Sequence, residues 1–180
     1  MMQLTLDTIS TSHVEKIRQW RNEQIDVLRQ YKPISEVEQQ EYFKGVHKDQ
    51  RQVLFSILNG NNLIGYCGLV NINHIYKNCE VSFLCDTSLI NKDDYDRILL
   101  FAFEEMFKYG FESLNMNRVW TETYSFRTEH LKLLSLCGLA REGVLREAVY
   151  CSGQYHDSVI QSILRREYEL QKQARSGHRR

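Results

Sequence analysis

The chain has 180 residues, 42% of them hydrophobic and 11% aromatic, which suits a domain with its own core and excludes a disordered chain. Twenty-three basic residues cancel 23 acidic ones, so no global charge draws the protein to nucleic acid or to a membrane surface. The start, MMQLTLDTIS, has no basic patch leading into an apolar core. No apolar run approaches the ~20 residues that cross a bilayer, and a cytoplasmic protein is expected.

Gln3 to Asp7 alternates apolar and polar residues and predicts a first strand. Ser12 is placed to cap a helix whose Val14, Ile17 and Trp20 share a face. After Lys32-Pro33, Ser35 and Glu38 stand in capping-box spacing before a second helix that runs to about His47. Val53 to Leu58 reads as a strand, folded back by Asn59-Gly60-Asn61-Asn62 onto Leu63 to Ile72. Cys79 to Cys85 is a fourth strand. Leu99 to Leu114 carries the longest helical pattern, with Phe103, Phe107 and Gly110-Phe111 on one side and Glu104, Glu105 and Lys108 opposite.

The C-terminal part is the most ordered in pattern. A β-rich run, Arg118 to Tyr124, precedes a short amphipathic helix with Leu131, Leu133, Leu134 and Leu136 that stops at Gly138. Two strands then flank a Cys151-Ser152-Gly153-Gln154 turn. The ending Arg175-Ser176-Gly177-His178-Arg179-Arg180 reads as a solvated basic tail, so the domain is expected over 1–168 and the tail over 169–180. Five cysteines without a CxxC pair argue against a disulfide framework, and with six scattered histidines they give no metal site. From pattern alone the class is α/β or α+β with a mixed sheet.

Gly138, Glu142-Gly143, Arg146-Glu147 and Tyr155-His156-Asp157 stand at the spacing of the GNAT superfamily of N-acetyltransferases. The chain most resembles the branch with ribosomal-protein N-terminal and amino-sugar nucleotide acetyltransferases. The resemblance covers roughly residues 3–168. It implies a twisted seven-stranded mixed sheet with helices on both faces, whose fourth and fifth strands splay apart. It also implies acetyl-coenzyme A as cofactor and an amine acceptor, either a small molecule or a peptide. A homodimer is left open.

By the same resemblance, the pantetheine arm pairs with the backbone of Val81, Ser82, Phe83 and Leu84. The family's glycine loop for the pyrophosphate falls on Asp94, Arg97 and Leu99, and none of the three matches. Asp93, Asp94 and Asp96 lie where phosphates bind in the family, so weak donor binding is expected. Lys92 and Arg97 are the cations at hand, with Ile98 following at the helix start. Arg127 replaces a cofactor-touching Asn, and Leu134 replaces a Tyr that protonates the departing thiolate. The aspartates can equally serve to cap their own helix.

Removing a proton from the acceptor amine needs a base. By the resemblance Glu80, at the start of the fourth strand where the branch carries a glutamate, is the first candidate and Glu122, on the facing strand, the second; either can instead be a structural carboxylate. Tyr124 and Ser125 are the hydroxyls able to replace the missing Tyr. On the acceptor side stand Arg21, Asn22 and His156, with Arg29 and Tyr31 nearby, while Asp157 is expected to brace the hairpin. Acceptors compatible with these residues are an amino-sugar nucleotide, a protein N-terminus or a small amine. The competing reading is a degenerate GNAT-fold protein that binds a partner or uses another acyl donor.

Overall fold

The computed structural model describes residues 2–46, 48–88 and 91–177. Along these residues run β1 (Leu4–Thr8), α1 (Thr11–Glu23), α2 (Glu36–Val46), β2 (Val53–Asn59), β3 (Asn62–Asn73), β4 (Asn78–Cys85) and α3 (Lys92–Lys108). Then follow β5 (Arg118–Tyr124), α4 (Thr128–Leu136), β6 (Ala140–Cys151), β7 (Gln154–Leu164) and α5 (Arg165–Gly177). The strands form one mixed sheet in the order β1-β2-β3-β4-β5-β7-β6. β4 and β5 are parallel, whereas β1–β2, β2–β3, β5–β7 and β6–β7 are antiparallel.

The chain gathers into two compact units, Met1–Val70 with Ser82–Ala102 and Asn71–Val81 with Phe103–Arg180. In the first, Val14, Ile17 and Trp20 of α1 and Phe43 and Val46 of α2 pack with Leu54, Leu63, Tyr66 and Leu84. The cap of α1 is Ser10, two residues before the expected Ser12, because His13 reaches back to it: the Ser10 N–H donates to His13 Nδ1 at 3.5 Å. The capping box at α2 is as expected, with the Glu38 N–H donating to Ser35 Oγ at 3.3 Å and the Ser35 N–H to the Glu38 carboxylate at 2.9 Å. α2 ends at Val46, and residue 47 lies outside the described residues.

The long helix differs from its expected bounds. It begins at Lys92, seven residues before Leu99, because Asn91 caps it: the Asp94 N–H donates to Asn91 Oδ1 at 2.9 Å. Its apolar periodicity starts only after that exposed first turn. At its far end a π-helical turn, Tyr109–Ser113, replaces the last α-turn.

In the second unit Phe103, Phe107 and Phe111 do line one side, with successive ring centroids 5.8 and 6.3 Å apart. α4 closes as a Schellman motif, with the Leu139 N–H on the Leu134 carbonyl at 3.1 Å and the Gly138 N–H on that of Ser135 at 2.9 Å. Gly138 has φ +98°, which favours glycine, and a Cβ there would lie 2.0 Å from Gln171 Nε2, so the Gln171 side chain would have to move aside. The neighbour it admits is α5. The basic tail expected from residue 169 is therefore helical through Gly177. Tyr168 stacks on Phe111 at 4.8 Å, Lys172 pairs with Glu112 at 2.6 Å and Arg175 with Glu104 at 2.8 Å. Residues 178–180 of that tail lie outside the described residues.

The junction that positions the chemistry is between β4 and β5. Their ladder consists of Asn78↔Arg118, Cys79↔Val119 and Glu80↔Trp120. β4 continues to Cys85 beyond it, and β5 stays paired with β7 as far as Tyr124↔Ser158. The paired register of β4 with β5, expected to end at Glu80, includes Glu80 as its last pair.

Candidate active site

Glu80 closes the β4–β5 ladder and is 2% exposed. A carboxylate so placed needs donors. Asn71 supplies one: its Nδ2 donates to Glu80 Oε2 at 2.7 Å. Asn71 lies near the end of β3 with φ +50°, a left-handed conformation that asparagine tolerates better than most residues. The departure from extended geometry accompanies that reach, and no sequence pattern marked Asn71 for it.

Glu122 sits differently. It is half-buried on β5, and the Ser158 hydroxyl of β7 donates to its Oε1 at 2.8 Å. Tyr124, at the end of the same strand, is 7% exposed, with its ring 5.7 Å from that of Phe126. Phe126 in turn meets the His156 ring edge-on at 4.8 Å, so Tyr124, Phe126 and His156 form one aromatic group. Asp157 braces the hairpin, as expected: its carboxylate accepts the Glu147 N–H at 2.9 Å, and its carbonyl accepts the Ser125 N–H at 2.9 Å. The turn itself carries Ser152 at φ +52° and Gly153 at φ +83°, the type I′ signs.

Arg127 precedes α4 and points its Nη2 to His130 Nδ1 at 3.4 Å. Burial first, and then the neighbouring Arg127 charge, push the His130 pKa down to about 3. His130 is therefore a neutral imidazole at neutral pH. It escaped the sequence reading, although its position three residues after Arg127 was the available signal. Leu134, where the family's Tyr was expected, is fully buried.

On the donor strand Val81 and Leu84 are buried, while Ser82 and Phe83 are half-buried; the Phe83 ring is 6.0 Å from that of Tyr95. The first turn of α3 has already spent much of its charge and hydrogen bonding. Asn91 Nδ2 donates to Asp94 Oδ2 at 3.0 Å, and Arg97, 64% exposed in its side chain, pairs with Asp94 at 3.5 Å. Arg97 is thus turned toward Asp94, and buried Ile98 faces the core.

Of the residues assigned to the acceptor, Arg21 and Asn22 lie in the first unit and His156 in the second. Asn22 braces its own loop: its Oδ1 accepts the Ile34 N–H at 2.8 Å, and its Nδ2 donates to the Ile34 carbonyl at 3.0 Å. Arg21 instead lies over the Tyr42 ring at 5.7 Å and donates to Gln39 Oε1 at 3.4 Å. Tyr31 is 93% exposed and joins neither group.

Residues 6–160 match the family described as the acetyltransferase (GNAT) domain. The chain belongs to that family. It is 25% identical over 126 residues to the putative ribosomal N-acetyltransferase YdaF of Bacillus subtilis, covering 70% of this chain and 67% of that protein. Over 139 residues it is 27% identical to a spermidine N(1)-acetyltransferase of Vibrio cholerae, covering 77% of each. In fold it is similar to the crystal structure of the V. cholerae spermidine N-acetyltransferase in complex with CoA and spermine. That match has a TM-score of 0.81 and 23% identity, over 92% of this chain and 98% of that one.

As a member of that family the protein is an acyltransferase, and its donor is acetyl-coenzyme A. The residues present fit that donor where β4 runs on past its ladder with β5, at Val81 to Leu84. At the phosphate end the fit is poorer, because the Asp94 N–H is taken by Asn91 and Arg97 is held by Asp94. No helix among the described residues is long and apolar enough to cross a membrane.

Proposed function

We propose that the protein transfers the acetyl group of acetyl-coenzyme A directly to a primary amine of a small-molecule or peptide acceptor, with Glu80 as general base. The carrying observation is the Glu80 carboxylate, 2% exposed at the last pair of the β4–β5 ladder and held at Oε2 by Asn71. Glu122 also accepts one hydrogen bond, from Ser158, but it lies inside the continuous β5–β7 ladder rather than at the end of the β4–β5 one, which suits a structural carboxylate better.

When bound, the donor supplies an acetyl thioester carbon open to attack. The backbone of Val81 to Leu84 would hold the pantetheine arm of the donor. Glu80 takes the proton that the amine nitrogen loses as its C–N bond forms and the C–S bond breaks. The Tyr124 hydroxyl, with Ser125 beside it, is assigned to return a proton to the leaving sulfur. Asn71 orients the base. Arg127 is positioned by His130, a neutral partner.

The test is release of free coenzyme A thiol from acetyl-coenzyme A with a panel of amines: an amino sugar, its phosphate ester, a peptide N-terminus and spermidine. Acetylation of one or more of them supports the reading. No amine acetylated at any donor concentration would overturn it.

A further inference from the structure

Helix α1 carries three cations with unequal neighbours. Arg18 holds Glu15 with two hydrogen bonds of 2.6 and 2.8 Å, and Lys16 lies 4.0 Å from Asp86. Arg21 has no carboxylate within ion-pair distance among the described residues. Its neighbours are a neutral amide, Gln39 Oε1 at 3.4 Å, and the face of Tyr42. A half-buried guanidinium without a counter-charge is a weak structural device, since one long hydrogen bond to an amide and a ring face offset its desolvation only in part. It is a good receptor for an anion.

The groups around it are donors. Gln39 is 1% exposed, and because its Oε1 faces Arg21, its Nε2 lies on the same carboxamide beside the guanidinium. That Nε2 is buried and has no hydrogen-bond partner among the described residues. Tyr66 is buried, and burial raises its pKa, while the Arg21 charge and a hydrogen bond shared with Ser82 act against that rise. Its phenol is protonated at neutral pH and can donate. Ser82 ties the group to β4, two residues along the strand from Glu80. Arg21, Gln39, Tyr42, Tyr66 and Ser82 all belong to the first unit.

We infer that Arg21, Gln39 and Tyr66 form a subsite for an anionic oxygen group, carboxylate or phosphate, carried by the acceptor amine. The acceptor is accordingly an amine bearing an acid group, and a polyamine is disfavoured because it would bring positive charge to Arg21. This rests on the acetyl-transfer reading for its meaning but not for its test.

The test uses the full chain with the donor site saturated by coenzyme A, so that added anions cannot report on the pyrophosphate position. Isothermal titration of that complex with inorganic pyrophosphate and, separately, with succinate asks which anion the subsite takes. At least one is expected to bind, and Arg21→Gln and Gln39→Leu each to weaken it about tenfold or more, as loss of a charge-assisted donor or of a buried donor implies. Arg21→Lys should restore part of the affinity. Unchanged coenzyme A affinity in each variant establishes that the fold is kept.

The kinetic arm compares glucosamine, glucosamine 6-phosphate and spermidine. The phosphate ester is expected to have the lowest KM, with Arg21→Gln abolishing its advantage over glucosamine. Anion binding that is absent, or equal in the wild type and Arg21→Gln, would overturn the subsite, as would spermidine turnover exceeding that of the phosphate ester. If the anions bind as expected and no amine is acetylated, the subsite stands and the acetyl-transfer reading fails.

Discussion

Two arginines of the first unit, each expected to meet a substrate's negative charge, end up in opposite situations. Arg97, in the first turn of α3, is exposed and paired with Asp94, which Asn91 also holds. Arg21, in the last turn of α1, is half-buried, stacks on Tyr42 and touches only a neutral amide. Both are arginines at helix ends, so residue type and helix position do not separate them. What separates them is whether a carboxylate within one turn has already taken the charge. An arginine satisfied by its own helix is a capping device, whereas one left with neutral donors is available for a ligand.

The contrast can be broken by exchanging the partners. Gln39→Glu gives Arg21 the carboxylate it lacks, and should lower the affinity of the coenzyme A complex for inorganic pyrophosphate or succinate by about tenfold. Titration calorimetry reads this directly, and an unchanged affinity would mean that Arg21 is not the anion's partner.

The converse exchange is smaller. Asp94→Asn keeps an amide that can bond Asn91 but frees Arg97, and coenzyme A should bind about two- to fivefold tighter, with steeper salt dependence. No change would show that Arg97 stays in solvent once released.

Smaller again are the effects on stability at neutral pH. Arg18→Gln removes the two bonds to Glu15 and should lower the urea midpoint, whereas Arg21→Gln should leave it unchanged or raise it. Equal losses in both would erase the distinction between the two sites.

Arg127 provides a third case, a guanidinium against a neutral histidine. His130 titrates near 3 when folded, well below the ordinary histidine value, so above pH 6.5 its protonation makes no difference to stability. As pH falls from 6.5 toward 3 the unfolded chain binds the proton and the folded one does not, and stability declines. His130→Gln should flatten that decline in urea titrations across the range, with no effect at pH 7.

Much of the fold was readable because its signals are local. The Ser35–Glu38 box, the Asn59–Asn62 hairpin turn, the Gly138 stop and the Cys151–Gln154 turn each depend on residues a few positions apart. The start of α3 was missed because a polar, exposed first turn has no apolar period to count, and Asn91 was not recognised as its cap. α5 was taken for a tail because its partners, Phe111, Glu112 and Glu104, lie more than fifty residues earlier. In the site, Glu80 and Arg21 were named from the family resemblance. Asn71, Gln39 and His130 were not, since an uncharged side chain announces a role only once its hydrogen-bond partner is known. Asn22 was credited with acceptor contact, but Ile34, in the loop before α2, claims both ends of its amide.

The central claim is that Glu80 accepts the acceptor's proton. Glu80→Gln preserves the shape and the contact with Asn71 but removes the base. With an acceptor that the wild type acetylates, kcat should fall about a hundredfold or more while coenzyme A affinity stays within about twofold. Glu122→Gln is the control and should retain most of the activity. A Glu80→Gln enzyme with undiminished kcat, or one that remains active where Glu122→Gln is dead, would contradict the account.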